Sequence, residues 1–378
     1  MHQIKFYPVG NGDTCQIILI NERRILLDYR HLKSSEDLAS GLFNLKQALT
    51  DELKKAQRNY FDVVAFTHAD DDHIANSSEF FELMHSPAYQ GNGRIKIREL
   101  WVPAAMILET TTREGQGAEF VTWRREARHR LREGKGIRIF SKPEMLKQWL
   151  EGEGLTLESR AHLIEDAGTV VPTFSLAVDE VEFFCHSPFV KHVDEGDDLR
   201  NDASLIFQVR FETGGTRFDY LAIGDSTHEV LSDIVEITKW HGNDDRLNWN
   251  LYNIPHHCSY LALGPEKGDL ETIPVPLVIE WLMHGQPDAY MISSSDPIGN
   301  STEDYERTQP PHVQAKKAYL RYFQEVGGRK FLVTMEHPNT RRPSPIVFEI
   351  TPLGGKLVTA PAAAAAAAIV SAPAPRAG

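Results

Sequence analysis

The sequence predicts a layered α/β fold with sheets inside and helices outside. Short apolar runs bounded by turn residues fill the first 30 residues, and a stretch with helical spacing follows. A continuous apolar run, FDVVAF (61–66), then passes directly into the polar segment THADDDH. Strands, a helix, then strand-to-loop transitions bearing polar clusters form the pattern of sheets covered by helices.

The elements follow in order. Ile4–Val9 reads as a strand, Gly10–Asp13 as a turn, Cys15–Ile20 as a second strand and Arg24–Tyr29 as a further arm. Ser35–Arg58 places Leu38, Leu42, Leu45, Leu49 and Leu53 at helical spacing. Phe61–Phe66 has the signature of a buried strand. Ile74–Met84 looks helical, and residues 101–165 are less regular. Strand-like runs return at Val181–Cys185, Ser204–Phe211 and Phe218–Ile223, and Val230–Thr238 is predicted helical. Leu251–Ile254 is a short strand running into Pro255-His256-His257. Tyr290–Ser293, Lys330–Met335 and Ile346–Ile350 read as strands, and Gln314–Val326 as a helix. Residues 1–355 are read as one domain with an insert near 101–165, and residues 356–378 as a disordered Ala/Pro-rich tail.

At 378 residues the chain is long enough for a sizeable core, and 41% hydrophobic with 25% charged residues is ordinary globular composition. The formal net charge of −13 argues against nonspecific coating of nucleic acid. One stretch runs the other way. Thr122–Arg138 holds seven basic residues against two acidic ones, a local charge of +5. It reads as a solvated helix face or as a patch guiding a polyanion, with Trp123 beside it in the core or stacked on a base. Cys15, Cys185 and Cys258 are too few and too scattered for a disulfide framework or a zinc knuckle. No window reaches about 18 uninterrupted apolar residues, and no signal peptide is visible, so the expectation is a cytoplasmic protein without a membrane partner.

The sharpest feature is His68-Ala69-Asp70-Asp71-Asp72-His73, directly after the buried strand. So many anionic groups in one loop repel one another, and a bound cation makes the loop favourable by neutralising carboxylates and accepting imidazoles. The bland alternative is a solvated acidic helix cap.

This segment resembles the HxHxDH motif of the metallo-β-lactamase fold superfamily, and more closely the HxDxDH form of the ComEC-like hydrolase group. Val9–Asp13 and Ile25–Asp28 look like that group's opening hairpin. Asn201–Leu205, Leu221–Asp225 and Pro255–Ser259 resemble its later motifs, in order. The resemblance implies a four-layer αββα sandwich with a helical insert and two divalent metal ions, zinc or manganese, at one edge of the sheets. Residue by residue it implies His68 and Asp70 at the first metal, Asp72 and His73 at the second, Asp225 bridging and His257 completing the second site. His256 competes with His257. Asn201 stands where the first metal's third ligand is expected, with His186 an alternative. Asp70 in place of a His tilts that site toward harder metals.

The implied activity is hydrolysis by a metal-activated water, with Asp72 a candidate to orient it, most favourably of a phosphodiester in a nucleic acid or nucleotide. His312, after Pro311, is a candidate to protonate a leaving group or bind phosphate. Thioester, lactone or lactam hydrolysis and a non-catalytic metal-bearing binding module are the alternatives, because the fold alone does not choose a chemistry.

Overall fold

The computed structural model describes residues 1–109, 117–194 and 202–358. Asn201 and residues 359–378 of the Ala/Pro-rich tail lie outside them, whereas Lys356 and Leu357, read as the start of that tail, belong to the last strand.

Among the described residues fifteen strands form two sheets, and the chain builds them almost in sequence. The first holds β1 (His2–Phe6), β2 (Cys15–Ile18), β3 (Arg24–Leu27), β4 (Tyr60–Ala65), β5 (Lys96–Pro103), β6 (Ile137–Phe140) and β7 (Ile164–Glu165). The second holds β8 (Val181–Ser187), β9 (Ile206–Thr213), β10 (Thr216–Ile223), β11 (Trp249–Ile254), β12 (Gly285–Ser293) and β13 (Lys330–Val333). The chain then returns to the first sheet as β14 (Ile346–Thr351) and β15 (Gly354–Leu357), and β14 pairs with β1. Strands β3 to β7 are parallel, as are β10 to β13.

The period-two alternation of side chains sorts the layers. In β4, Val63 and Ala65 enter the core between the sheets, while Val64 enters the core beneath the helices. On that outer face lie the helices Leu45–Lys55, Ala118–Glu133 and Glu144–Gly152, which bury Leu49, Trp123 and Leu146 among others. The helices His228–Trp240, Pro276–Leu282 and Val313–Glu325 cover the second sheet through Ile234, Trp281 and Tyr319. The layers are helix, sheet, sheet, helix: the αββα sandwich expected. No helix among the described residues is long and apolar enough to cross a membrane.

Three local expectations give way. The first long helix starts at Leu45, not Ser35. Gly41 sits at φ 70° and Asn44 caps the helix through the Gln47 N–H, so Leu38 is left 98% exposed. Ile74–Met84 is not one helix, because Asn76 adopts a left-handed φ of 58° and divides it into two short turns. The described residues within 101–165 are regular after all. Phe120, Trp123, Ala127 and Leu131 make an apolar stripe that the surrounding arginines mask in the sequence. Trp123 is fully buried with its Nε1–H donated to Ser77 Oγ at 2.6 Å, so it does not stack on a base.

The site follows from strand direction. Loops leaving the C-terminal ends of β3, β4, β10, β11 and β12 meet at one edge, where open parallel sheets offer a crevice. The backbone there bridges both sheets, because the Leu205 N–H bonds the Thr67 carbonyl at 2.9 Å.

Trp101 fills the space between the sheets, with ring centroids 5.3 Å from Phe183, 5.5 Å from Phe140 and 5.6 Å from Phe207. Trp101→Ala should cost about 3–5 kcal/mol in chemical denaturation, the range for deleting a large buried aromatic. A loss below about 1 kcal/mol would contradict this packing.

Candidate metal centre

His68 is buried at the end of the strand-to-loop transition, and a short helical turn, Asp71–Ile74, brings Asp72 and His73 inward. From the second sheet comes Asp225, directly after β10. Gly224 makes this approach possible, since a Cβ there would lie 2.9 Å from Thr67 Cβ. After β11 the chain makes a left-handed turn. His256, His257 and Cys258 have φ of 51°, 52° and 68°. Each such non-glycine residue costs about 1–2 kcal/mol. The turn delivers the His257 ring into the cluster.

Asp225 is the hub. Its Oδ1 lies 3.3 Å from His73 Nε2, and its Oδ2 lies 3.3 Å from His257 Nε2, 3.9 Å from His256 Nε2 and 4.0 Å from His68 Nε2. Asp72 Oδ2 reaches His257 Nε2 at 3.1 Å, and Asp70 Oδ2 lies 3.9 Å from His68 Nε2. The outer nitrogens are held. His73 Nδ1 meets Asp28 Oδ2 at 2.7 Å, and His257 Nδ1 meets the Ser294 carbonyl at 2.9 Å. His68 Nδ1 lies 3.2 Å from Thr67 Oγ1. That hydroxyl already donates to Asp28 at 2.7 Å, which leaves it to accept from His68. With Nδ1 as the donor on each ring, every Nε2 is free to ligate.

The electrostatics call for a cation. Burial would lower the pKa of His73 and His257, but the surrounding carboxylates together outweigh it, Asp225 with Asp28 and Asp72 at His73 and Asp225 with Asp72 and Asp13 at His257, and raise both well above the ordinary imidazole value. Burial would raise Asp225, yet His257, His73 and His256 hold it well below the carboxylate range. His68 is pushed down to about 3, first by burial and then by the charge of His73. Among the described residues, buried His68 Nε2, His73 Nε2 and Asp225 Oδ1 make no hydrogen bond of acceptable geometry. Buried polar atoms without partners are rare. A neutral His73 would turn its Nε2 lone pair on the lone pairs of Asp225, so a proton or a metal belongs between them. The ligand atoms of Asp13, His73, Asp225 and His257 lie within 4.8 Å of one another, as do those of His68, Asp72 and His73. The mix of imidazole and carboxylate donors suits divalent metals from manganese to zinc. The residues present fit a metal centre.

The structure thus brings His68, Asp70, Asp72, His73, Asp225 and His257 together. His257 is buried and nearer Asp225 than His256, which is 17% exposed in its side chain. His186 is elsewhere, its Nε2 3.0 Å from the Arg246 carbonyl and its ring against Trp281, so it is not a ligand of this cluster. His312 is buried behind the left-handed turn, with its N–H on the Cys258 carbonyl at 3.0 Å. Sequence reasoning missed two carboxylates. Asp28, itself at φ 57°, accepts from the Thr67 N–H and hydroxyl as well as His73. Asp13 Oδ2 lies 4.0 Å from His73 Nε2 and 3.9 Å from His257 Nδ1, and burial lifts its pKa to about 6. The signal was present: each ends a motif of the opening hairpin, Asp13 in the turn ahead of β2 and Asp28 directly after β3.

No protein-family model and no curated protein matches the chain. Among solved structures it is similar to a diphosphatase of the PhnP family at 10% identity, over 83% of this chain and 94% of that one, with a TM-score of 0.31. A class B3 di-zinc metallo-β-lactamase from an Alaskan soil metagenome matches at 9% identity, over 85% and 90%, with a TM-score of 0.32. The FEZ-1 metallo-β-lactamase of Legionella gormanii matches at 11% identity, over 58% and 62%, with a TM-score of 0.24. These overlaps are loose, so the functional reading rests on the side chains of the site.

Removing the partner that orients His73 should weaken metal binding. Asp28→Asn is expected to lower metal affinity by roughly 10–100-fold in chelator competition, as loss of such supporting carboxylates does. An unchanged affinity would remove Asp28 from this role. Proton linkage gives a second test. The raised pKa values keep His73 and His257 protonated near neutrality in metal-free protein. Metal requires neutral rings, so binding releases protons and affinity rises with pH. Calorimetry in buffers of different ionisation enthalpy should show net proton release at pH 7, and none would contradict the assignment.

Proposed function

We propose that this protein is a metal-dependent hydrolase of phosphodiesters, acting on a nucleic acid or a nucleotide. The observation that carries the reading is the convergence of three imidazole Nε2 atoms on buried Asp225, with both partner sets oriented from behind. A binding module has no need for so costly an arrangement of buried charge.

His68 and Asp70 would hold one metal, Asp72, His73 and His257 the other, with Asp225 between them; Asn201 is proposed for the first. Two such cations, zinc or manganese, would supply Lewis acidity and make a water nucleophilic near neutral pH. The chain's own groups then position the reactants. Asp72, with a side chain 34% exposed, lines an open groove, where it can accept a proton from water and orient it. His312 is pushed down to about 4 by burial, so at neutral pH it carries no extra proton. Its Nδ1 accepts from the Tyr260 N–H at 3.4 Å, which puts its one proton on Nε2. His312 is therefore proposed as a neutral hydrogen-bond donor to a phosphoryl or leaving oxygen rather than an acid. The oxygen-rich ligand set and the phosphodiester-directed motif resemblance support this substrate class over thioesters, lactones and lactams.

The deciding experiment is a metal analysis followed by a substrate panel. Two metals per chain are expected, with cleavage of bis-p-nitrophenyl phosphate, single-stranded DNA or a cyclic nucleotide under manganese or zinc. Asp225→Ala should abolish it. Cleavage of a thioester or lactone with every phosphodiester untouched would reject the reading, and one metal or none would reject the two-metal site.

A further inference from the structure

Beside the cluster lies a groove of about 450 Å³, lined by Arg30, His31, Lys33, Asp70, Asp72 and Asn76 among others. Two of its lining residues, Asp70 and Asp72, are proposed ligands, so it opens onto the reacting centre. Arg30 is the unusual member. Its guanidinium donates to the Val9 carbonyl through Nη1. Its stem lies in a cradle of glycines. A Cβ on Gly12 would fall 2.1 Å from Arg30 Cδ and 2.5 Å from the Asp72 carbonyl oxygen, and one on Gly10 would fall 2.9 Å from Arg30 Nη1. The Gly10-Asn11-Gly12 turn is thus glycine on both sides because Arg30 occupies the side-chain space. Asn11 fixes that turn against the far sheet, accepting from the Asp296 N–H and donating to the Pro310 carbonyl, each at 2.8 Å.

An arginine among aspartates normally pairs with one. Among the described residues Arg30 makes no ion pair within 4.0 Å; burial lowers its pKa, and the more distant Asp72 and Asp296 offset that only in part. Its other guanidinium N–H groups have no protein partner there. The cradle, not a counter-ion, decides where the fork lies. Such a fork matches the paired oxygens of phosphate, and it binds them more strongly when already fixed. A second groove of about 440 Å³, beside Arg23, Asp62 and Arg98, offers nothing comparable, since Arg98 pairs with Asp62 and Arg23 with Asp179, each at 3.0 Å.

We propose that Arg30 is a substrate-binding residue that grips a phosphoryl group in this groove, next to the metal cluster. The proposal rests on the phosphodiesterase reading and adds the residue that recognises the anion. It selects substrates whose charge sits beside the scissile bond.

The test uses the full chain loaded with manganese or zinc, with metal content and melting temperature measured for every variant. Inorganic phosphate is the binding probe, read by calorimetry, and bis-p-nitrophenyl phosphate the substrate. R30Q should keep its metals, bind phosphate roughly tenfold to a hundredfold more weakly and raise KM by a similar factor, the scale of a lost charged hydrogen bond. R30K keeps the charge and loses the fork, so it should fall between wild type and R30Q; it carries the test if R30Q does not fold. Unchanged phosphate affinity and KM in R30Q, with the wild type cleaving diesters, would overturn the role of Arg30 alone. Arg30-dependent phosphate binding in a protein that cleaves no diester would support Arg30 and overturn the diesterase reading.

Discussion

A carboxylate buried at the mouth of the sandwich sets the terms for everything near it. Asp225 is 3% exposed, and a lone ion there would cost several kcal/mol. The structure meets that cost with imidazoles from three directions. It also keeps the group from simply shedding its charge by protonation, since His257 and His73 hold its pKa low. Such a site is unfinished without cations. Asp225 and Asp72 are poised as anions while the Nε2 atoms that face Asp225 carry either a proton or a lone pair. The same balance explains why, among the described residues, buried His68 Nε2, His73 Nε2 and Asp225 Oδ1 make no hydrogen bond of acceptable geometry. A closed network would be more stable and would bind nothing.

The precision of the cluster comes from behind it. Thr67 and Asp28 form a knot in which one carboxylate receives a backbone N–H, a hydroxyl and an imidazole N–H. The knot ties the end of β3 to the loop after β4. The Leu205 bond to the Thr67 carbonyl then ties that loop to the second sheet. Ligands from two independent layers are thereby referred to a single point. Rigid strands do the coarse placement, and a few buried bonds do the fine placement. The left-handed turn at His256–Cys258 is strain of the kind that persists where surroundings over-determine it. Its partners are visible: the Ser294 carbonyl fixes the His257 ring, and the Cys258 carbonyl accepts from the His312 N–H.

Much of this was legible in the sequence because strand ends are legible. FDVVAF and LAIG are apolar runs that stop abruptly at charged residues, and such abrupt stops mark the crevice of a layered fold. Sheets inside and helices outside follow from those marks; the four-layer αββα order and the meeting of His68, Asp72, His73, Asp225 and His257 were implied by the resemblance of the motifs to the metallo-β-lactamase fold superfamily. What escaped reading depends on contacts between segments distant in the chain. Asp28 looked like the end of a hairpin because its partners lie some 40 residues on, and Asp13 looked like part of a turn. The helix over Ala118–Glu133 was obscured because its apolar stripe is threaded by cations. The overlong helix before it came from leucine spacing that continues past Gly41, where backbone conformation overrides side-chain pattern.

The basic segment shows why local charge is a poor guide to anion recognition. Arg130 is spent on buried Glu126 at 2.6 Å and on the Gly136 carbonyl, Arg132 on Glu153 at 2.6 Å, and Arg138 on Glu99 at 3.0 Å. Arg128 donates to the Ile107 carbonyl at 2.6 Å. These four arginines hold the insert together, so much of the positive stretch is committed to contacts within the protein. An acidic chain that handles a polyanion then needs its attraction concentrated where the chemistry is. Divalent cations would supply it at the cluster, and the fixed guanidinium of Arg30 would supply it in the groove. Charge held in one orientation discriminates, whereas a diffuse positive field of equal size attracts every anion alike. A net charge of −13 is compatible with such a site because the repulsion it produces is screened over about 10 Å at 0.1 M salt, while the groove acts at contact distance.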